Sequence, residues 1–373
     1  MSWNKILLVL MLAAYFGVAD AQEWKSLEAW NVGVTAGSTG IGAELSVPVA
    51  RNVQVRVGGT YMPRFEKTMN FGVEVGKDKD YRTDEQNAAT KRYYMENIRG
   101  FMRNFISYDM KDNIDMVGRS RFGNAKVLVD WMPFKDKRWH VTAGVYIGGR
   151  TIATAKNKME DMPTLMGVNM YNDLYKKGAA REPMFTVDGV SVSIPNHFVE
   201  ALLEDYGEMS ITLGEFSHDI VATEDIYWDY DYYEYHKTYV GELVHSKGEL
   251  RCKKGDVLYH EGEAYRMTPS ADNTVEARMK VNAIRPYVGG GFNGRLMQGS
   301  NINIGVEAGV MLWGGSPSVV TNDGIDLVKD LRNVRGKVGD YVKLIKGIKA
   351  FPVVEVKINL PLTPPKEGKR PSP

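Results

Sequence analysis

Residues Ile302–Gly314 have the sequence INIGVEAGVMLWG. Every second residue from Ile302 to Leu312 is apolar, and the positions between them hold mainly glycine and polar residues, including Glu307. This alternation predicts a β-strand, because successive side chains of a strand point to opposite faces. About ten alternating residues is also the length of a tilted strand that crosses a membrane. We therefore expect one face to contact lipid and the other to line a narrow interior.

The segment before this strand shows the same pattern. Ile284–Phe292 also alternates, and the polar connection Asn293–Ser300 joins the two strands into a hairpin. A strand with an unpaired edge is unstable in lipid, because its backbone groups find no hydrogen-bond partners there. The hairpin therefore predicts a barrel that closes on itself.

Similar alternation recurs along the chain and predicts eight strands. They are residues 30–37, 41–49, 52–64, 121–133, 138–152, 274–293, 300–314 and 351–361. The short connections Ala50–Asn52, Pro133–Arg138 and Asn293–Ser300 fall at every second junction, and three very long ones fall in the other set. Outer-membrane barrels have this asymmetry, with short periplasmic turns and long extracellular loops. The predicted fold is all-β: an eight-stranded antiparallel transmembrane β-barrel with long, partly helical extracellular loops.

The two ends of the chain have their own signatures. A basic residue, a short apolar core and the small residues Ala19-Asp20-Ala21 predict a secretory signal peptide over Met1–Ala21. The barrel then covers 22–361, and the Pro- and Lys-rich tail 362–373 is expected to be disordered. No apolar run reaches the roughly 18 residues that a membrane-spanning helix requires.

The long connections contain helical patterns. Tyr94–Phe105 has helical spacing, and a long extracellular insert over 151–273 contains two further predicted helices. These are Met159–Leu174 and His197–Tyr206. A last helix is predicted over 322–349, with Asp323 as its N-cap. Within the strand 274–293 the alternation changes phase near Ala283, which predicts a β-bulge.

Charged residues of the strands fall on the face opposite the apolar one, so we expect them to point into the barrel. They are Glu44, Arg56, Lys126, Asp130, Glu307, Glu355 and Lys357. Charges in a narrow interior must pair, because an unpaired buried charge is costly. Since side chains can fill an eight-stranded barrel, the sequence predicts a salt-bridged plug. A girdle of aromatic residues is expected at the periplasmic rim, formed by Trp30, Trp131, Trp139 and Phe292.

Several segments resemble a known family: the small outer-membrane β-barrels of Gram-negative bacteria, in the OmpA membrane-domain or OmpW-like group. The matching segments are STGIGAEL (38–45), VLVDWMPF (127–134), RPYVGGGF (285–292), GVMLWGGSP (309–317) and FPVV (351–354). The resemblance covers the strands and the helix before the last one, and the long inserts fall outside it. It implies an outer-membrane location and a porin-like shape, with outer-membrane lipid and the barrel assembly machinery as partners. It implies no particular activity.

Other chemistry is weakly indicated. With 47 basic and 46 acidic residues the net charge is +1, which argues against nucleic acid as a partner. Ser217-His218-Asp219 has the residue types of a catalytic triad, but a triad needs convergence in space. His236, His245, Cys252 and His260 match no zinc spacing. We therefore expect no catalytic residues, no metal and no cofactor.

The acidic, aromatic tract Asp225–Tyr239 lies within the long insert. It lacks the glycine turn and the spacing of an EF-hand loop, so calcium binding is the weaker interpretation. Exposed aromatic residues mark recognition surfaces. The tract is predicted to contact an extracellular partner or a glycan through Tyr227, Trp228, Tyr230, Tyr232 and Tyr233.

Three functions share this predicted fold. The favoured one is a barrel with a side-chain-filled interior that displays surface loops for structural or recognition roles. A narrow porin-like channel for small solutes is the first alternative. An outer-membrane lipid-modifying enzyme is the second, although the protein is expected not to be an enzyme.

Overall fold

A computed structural model describes residues 30–76, 82–180, 182–183, 185–193, 206–228, 231–236, 239–296, 302–334 and 336–362. The predicted signal peptide and the helix predicted at His197–Tyr206 fall outside these residues, Tyr206 apart, and so does the tail beyond Leu362.

Eight antiparallel strands close into a barrel, which confirms the predicted fold class. With strands numbered in chain order, the barrel strands are β1 (Asn31–Gly37), β2 (Gly40–Ala50), β3 (Val53–Tyr61), β6 (Gly123–Trp131), β7 (Trp139–Gly148), β20 (Ile284–Arg295), β21 (Asn303–Leu312) and β24 (Ala350–Pro361). They pair in that order, and β24 closes the barrel against β1. The rim at the short connections is called the turn end below, and the opposite rim the loop end.

The two faces of the barrel wall differ as the alternation predicts. Apolar side chains with large exposed fractions cover the outside: Val32, Val34, Ile41, Val57, Val127, Val129, Val141, Val288, Val310, Leu312, Ile358 and Leu360. In β6, buried and exposed residues alternate over the whole strand. The exterior is therefore an apolar band, which suits lipid rather than water.

Beyond the loop end, several barrel strands continue into a second sheet. This outer sheet has the order β22-β19-β8-β5-β4. Its strands are β4 (Glu66–Gly72), β5 (Asn113–Ser120), β8 (Thr151–Asn157), β19 (Glu276–Lys280) and β22 (Ser318–Thr321). The barrel strands β7 and β20 are paired with each other, and after a break in each strand the chain continues as the pair β8 and β19 of the outer sheet.

This continuation corrects two predicted strands. The strands predicted over 138–152 and 274–293 each divide between the barrel and the outer sheet. The change of phase near Ala283 is therefore a break between β19 and β20, and the register shift nearby lies between Met279 and Lys280, where β19 pairs with β8. Alternation continued across the break because both sheets bury one face of each strand.

Three helices of the described part of the chain pack beyond the loop end. They are α1 (Asp84–Ile106), α2 (Met162–Ala179) and α3 (Gly336–Gly347). Helix α1 contains the predicted Tyr94–Phe105 pattern and begins with a capping box between Thr83 and Gln86. Helix α2 overlaps the prediction at Met159–Leu174 and follows a short 3₁₀ turn, Met159–Asp161.

Helix α3 corrects the prediction over 322–349, because residues 322–334 are not helical. Instead, the short strand β23 (Leu331–Arg332) pairs in a three-stranded sheet. Asp323 does not cap a helix, since its carboxylate accepts hydrogen bonds from the hydroxyl groups of Tyr265 and Thr321. Leu327 and Leu331 are buried in the core instead of forming one helical face.

The remaining strands are short. They are β9 (Phe185–Val187), β10 (Val190–Val192), β11 (Ile211–Phe216), β12 (Ile220–Val221), β13 (Ile226–Tyr227), β14 (Tyr232–His236), β15 (Tyr239–His245), β16 (Leu250–Cys252), β17 (Val257–Tyr259) and β18 (Ala264–Met267). Strands β11–β14 pair successively with β18–β15 and form one long hairpin arm, interrupted by register shifts.

The long connections together form a folded module rather than separate loops. One hydrophobic core joins residues from the outer sheet, the helices and the base of the hairpin arm, among them Met116, Met102 and Phe216. A smaller apolar cluster, including Phe122 and Trp313, lies between this core and the barrel interior. No helix in the described part of the chain has the length and apolar character to cross a membrane.

Candidate functional site: the charged interior of the barrel

Seven charged side chains meet inside the barrel. Glu44, Arg56, Lys126, Asp130, Glu307, Glu355 and Lys357 each expose 3% of their surface or less. They come from β2, β3, β6, β21 and β24, and each occupies an inward position of its strand. Apolar neighbours along the same strands face outward, so the alternation itself brings these charges together.

Arg56 is at the centre of the group and contacts three carboxylates. Its Nη1 atom lies 3.2 Å from Oε2 of Glu44, and its Nε atom lies 2.8 Å from Oδ2 of Asp130. Its Nη2 atom lies 2.6 Å from Oε2 of Glu307. The planar guanidinium group suits such multiple contacts, because it presents five donors in a fixed geometry.

Two lysines extend the network. The Nζ atom of Lys126 lies 2.7 Å from Glu44 and 2.8 Å from Glu355, and that of Lys357 lies 3.3 Å from Glu307. Shared carboxylates therefore connect all seven groups. Among these groups, four carboxylates and three cations leave one negative charge.

A fourth cation lies nearer the loop end. Arg285 is fully buried, and it donates to the backbone carbonyls of Gly149 and Asn282 and to the side chain of Asn124. Arg285 brings the formal charge of the buried interior groups named here to zero. Its hydrogen bonds to Gly149 and Asn282 also connect the barrel interior with the two segments that lead into the outer sheet.

Neutral side chains add hydrogen bonds to two of these carboxylates. Gln54 and Thr142 each donate to Asp130 at 2.7 Å, and the Tyr287 hydroxyl donates to Glu307 at 2.9 Å. His140 is also buried, with Nε2 at 3.8 Å from Glu307. The predicted network contained only charged residues, so these neutral partners were missed. Their inward phase, on β3 for Gln54 and on β7 and β20 for the others, was the signal that could have identified them.

An apolar layer of side chains closes the barrel interior at the loop end. Tyr146, Tyr287, Met311 and Val353 occupy inward positions and are at most 3% exposed. The rings of Tyr146 and Tyr287 meet edge to face at 5.4 Å between centroids. Side chains thus fill the interior, as the width of an eight-stranded barrel allows.

Aromatic residues lie at the turn end. Trp30, Trp131 and Trp139 are each more than half exposed. Phe292 is partly buried and packs edge to face against Trp139 at 5.0 Å between centroids. All four residues lie at or near strand ends at the turn end, where the girdle was expected.

The predicted recognition tract lies on the hairpin arm. Tyr227 is 56% exposed, whereas Trp228 is partly buried and stacks on His245 with the ring centroids 3.5 Å apart. Tyr232 and Tyr233 belong to β14 and pair through their backbones with β15. Tyr230 lies outside the described residues.

The weak catalytic and metal signals do not converge. Ser217 Oγ lies 3.0 Å from Nδ1 of His218, but that imidazole lies near Asp330 rather than Asp219, and it is more than half exposed. Asp219 lies near His260 instead. Within the described ranges, no three His, Cys, Asp or Glu side chains are grouped to hold a metal ion.

Tyr265 anchors the module beside the outer sheet. Its hydroxyl donates to Asp323 at 2.6 Å, and it also lies 2.9 Å from Oγ1 of Thr321. Burial raises the pKa of the Tyr265 hydroxyl well above its ordinary value, and the Asp323 carboxylate raises it further. The hydroxyl therefore stays protonated and remains a donor throughout the neutral range.

Two solved structures from Acinetobacter baumannii are similar to this chain, and no family model or curated protein matches it. CarO2 is 12% identical over 89% of this chain and 98% of its own, with a TM-score of 0.32. CarO is 11% identical over 89% and 97%, with a TM-score of 0.31.

At this level of similarity neither structure assigns the chain to a family, and the fold is defined by its own strand pairing. The chain is an eight-stranded antiparallel β-barrel whose interior is filled by a buried network of paired charges.

Proposed function

We propose that this protein is an outer-membrane β-barrel of a Gram-negative bacterium that anchors a folded module at the cell surface. The apolar exterior and the exposed tryptophans at the turn end support a position within a bilayer. The export signature over Met1–Ala21 supports passage across the inner membrane. The resemblance to the OmpA membrane-domain or OmpW-like group supports the same location and is itself part of the proposal.

The proposed anchoring role rests on the contacts of Arg56 with Glu44, Asp130 and Glu307. All four residues are at most 3% exposed. A hydrated channel would leave such charges accessible to water and ions. Here each of the seven charges has an oppositely charged partner inside the barrel, so ion passage would require separating buried pairs, which is costly. The barrel therefore serves as a support, and the module carries the interaction surface.

The topology of the proposed anchor follows from its two rims. Short turns and both ends of the described chain lie at one rim, which is periplasmic in such barrels. The module, including most of 151–273, then faces the cell exterior. Its partners are outer-membrane lipid around the barrel, the barrel assembly machinery during insertion, and an extracellular partner or glycan at the hairpin arm. The exposed aromatic side chain of Tyr227 supports the contact with an extracellular partner or glycan.

Fractionation and surface proteolysis test this proposal together. The protein extracted from outer membranes should begin at Gln22 on N-terminal sequencing. Protease added to intact cells should cut within 151–273 and spare the barrel pair β6 and β7. A soluble product with an intact Met1 would contradict the location, and a module cut only after cell lysis would reverse the topology.

A further inference from the structure

An apolar cavity of about 390 Å³ lies in the module, between the outer sheet and helix α3. The sheet contributes Met69 and Met116, and the helix contributes Val338 and Val342 from one face. Phe351, at the barrel rim, also lines it. Its volume falls within the range of about 300–1,000 Å³ that small-molecule sites occupy.

The cavity opens beside the barrel. Met62 and Phe65, which line it, lie in the short link between β3 of the barrel and β4 of the outer sheet. Phe65 is 61% exposed, although its ring is apolar. If the barrel spans a membrane, this opening lies at the level of the rim, next to the lipid.

The donors that line the cavity set the chemistry of its occupant. Trp313 is only 5% exposed, and its indole N–H has no hydrogen-bond acceptor among the described residues. Lys67 lies on the same strand face as Met69, and no ion pair of its ammonium group is found in the described part of the chain. Arg119, the other cation of the lining, pairs with Glu66. No carboxylate of the described residues lines the cavity.

We infer that this cavity binds a single-chain amphiphile with a carboxylate head group, that is, a long-chain fatty acid. Its acyl chain fills the apolar space between the sheet and the helix. Its carboxylate pairs with Lys67 at the mouth, where water reaches both groups. Diacyl lipids would have to place a second chain outside the cavity.

Trp313 provides a built-in reporter for a binding experiment. Full-length mature protein in lipid nanodiscs would be titrated with ω-bromododecanoate, whose bromine quenches tryptophan on contact, and with the neutral ω-bromododecanol. Quenching should contain a saturable component that disappears in Trp313→Phe. Non-saturable quenching of the rim tryptophans by probe dissolved in the bilayer would remain in both proteins.

Two glycines offer a matched pair of variants. A Cβ at Gly118 would make ordinary contacts, 3.5 Å from the carbonyl oxygen of Lys67 and 3.7 Å from Cε of Met69, so Gly118→Leu should fill the cavity without a backbone clash. A Cβ at Gly72, on the neighbouring strand, meets no atom within 4 Å, and Gly72→Leu is the control. The saturable component should be lost in Gly118→Leu and retained in Gly72→Leu. Should Gly118→Leu not fold, Ala277→Leu fills the same cavity from strand β19.

Lys67→Gln tests the head group. Because the ion pair is exposed to solvent, the affinity for the carboxylate should fall only about three-fold, and that for the alcohol should not change. The inference is overturned if quenching has no saturable component, or if that component survives both Trp313→Phe and the cavity-filling variants. Equal binding of acid and alcohol, with no effect of Lys67→Gln, would overturn the assignment of a carboxylate ligand.

Discussion

The Nη2 atom of Arg56 lies 2.6 Å from Oε2 of Glu307, although 251 residues separate the two along the chain. Their strands, β3 and β21, are four positions apart in the order of an eight-stranded barrel. The ion pair therefore spans the interior from one side of the wall to the other. It can form only when the barrel has closed, because neither strand contacts the other directly.

Arg56→Met should strongly destabilise the barrel. The change removes the side chain that contacts Glu44, Asp130 and Glu307 together. Asp130 then has no ion-pair partner among the described residues, whereas Glu44 and Glu307 each keep one lysine. Removing one member of a buried ion network costs about 3–5 kcal/mol. The temperature at which the folded, fast-migrating form disappears on a gel should fall accordingly. Arg51→Met, at the exposed turn after β2, is the control and should leave that temperature unchanged.

Asp130→Ala should cost less than Arg56→Met. Arg56 keeps Glu44 and Glu307 as partners when Asp130 is removed, whereas Gln54 and Thr142 lose their acceptor. The loss of hydrogen bonds to a charged group suggests about 1.5–3 kcal/mol. Denaturant unfolding of the two variants in the same detergent would rank them. An equal or larger effect of Asp130→Ala would show that Arg56 is not the centre of the network.

Tyr265→Phe should weaken the module while leaving the barrel intact. It removes the hydroxyl that donates to Asp323 and lies beside Thr321, a net loss of about 1–1.5 kcal/mol. Limited proteolysis should cut the module faster in the variant, and the gel mobility of the barrel should not change. Faster cutting inside the barrel strands would contradict this division.

The effect of Tyr265 should depend on pH. Its pKa is raised in the folded protein, so the folded state retains a proton that the unfolded chain loses near pH 10. The resulting stability is fully present below about pH 10 and is lost as the pH rises further. The difference in proteolysis rate between wild type and Tyr265→Phe should therefore shrink above about pH 10. A difference that grows with pH would exclude this hydrogen bond as its cause.

Local alternation was sufficient to predict the barrel strands and the face that each residue occupies. A register slip by one residue would turn every charge outward, so the pattern is strongly constrained. Alternation could not reveal which charges meet. Arg56 and Glu307 come together only through the order and closure of all eight strands, which no local segment encodes.

The module was harder to predict than the barrel. The segments around Ala153 and Met279 alternate like barrel strands, but they pair beyond the rim in the outer sheet. Leu327 and Leu331 have helical spacing with Val334 and Val338, yet the first two pack in an irregular segment around β23. In both cases tertiary packing decides between structures that the local pattern alone does not separate.

Single-channel recording shows whether the filled interior of the barrel conducts ions. The purified full-length protein would be inserted into planar bilayers, with a general porin in the same bilayer as a positive control for detection. We predict no unitary current steps from this protein at low voltage, because the paired charges around Arg56 and the apolar layer above them occupy the interior. Stable, ohmic steps from the folded protein would contradict the account and would favour a narrow channel.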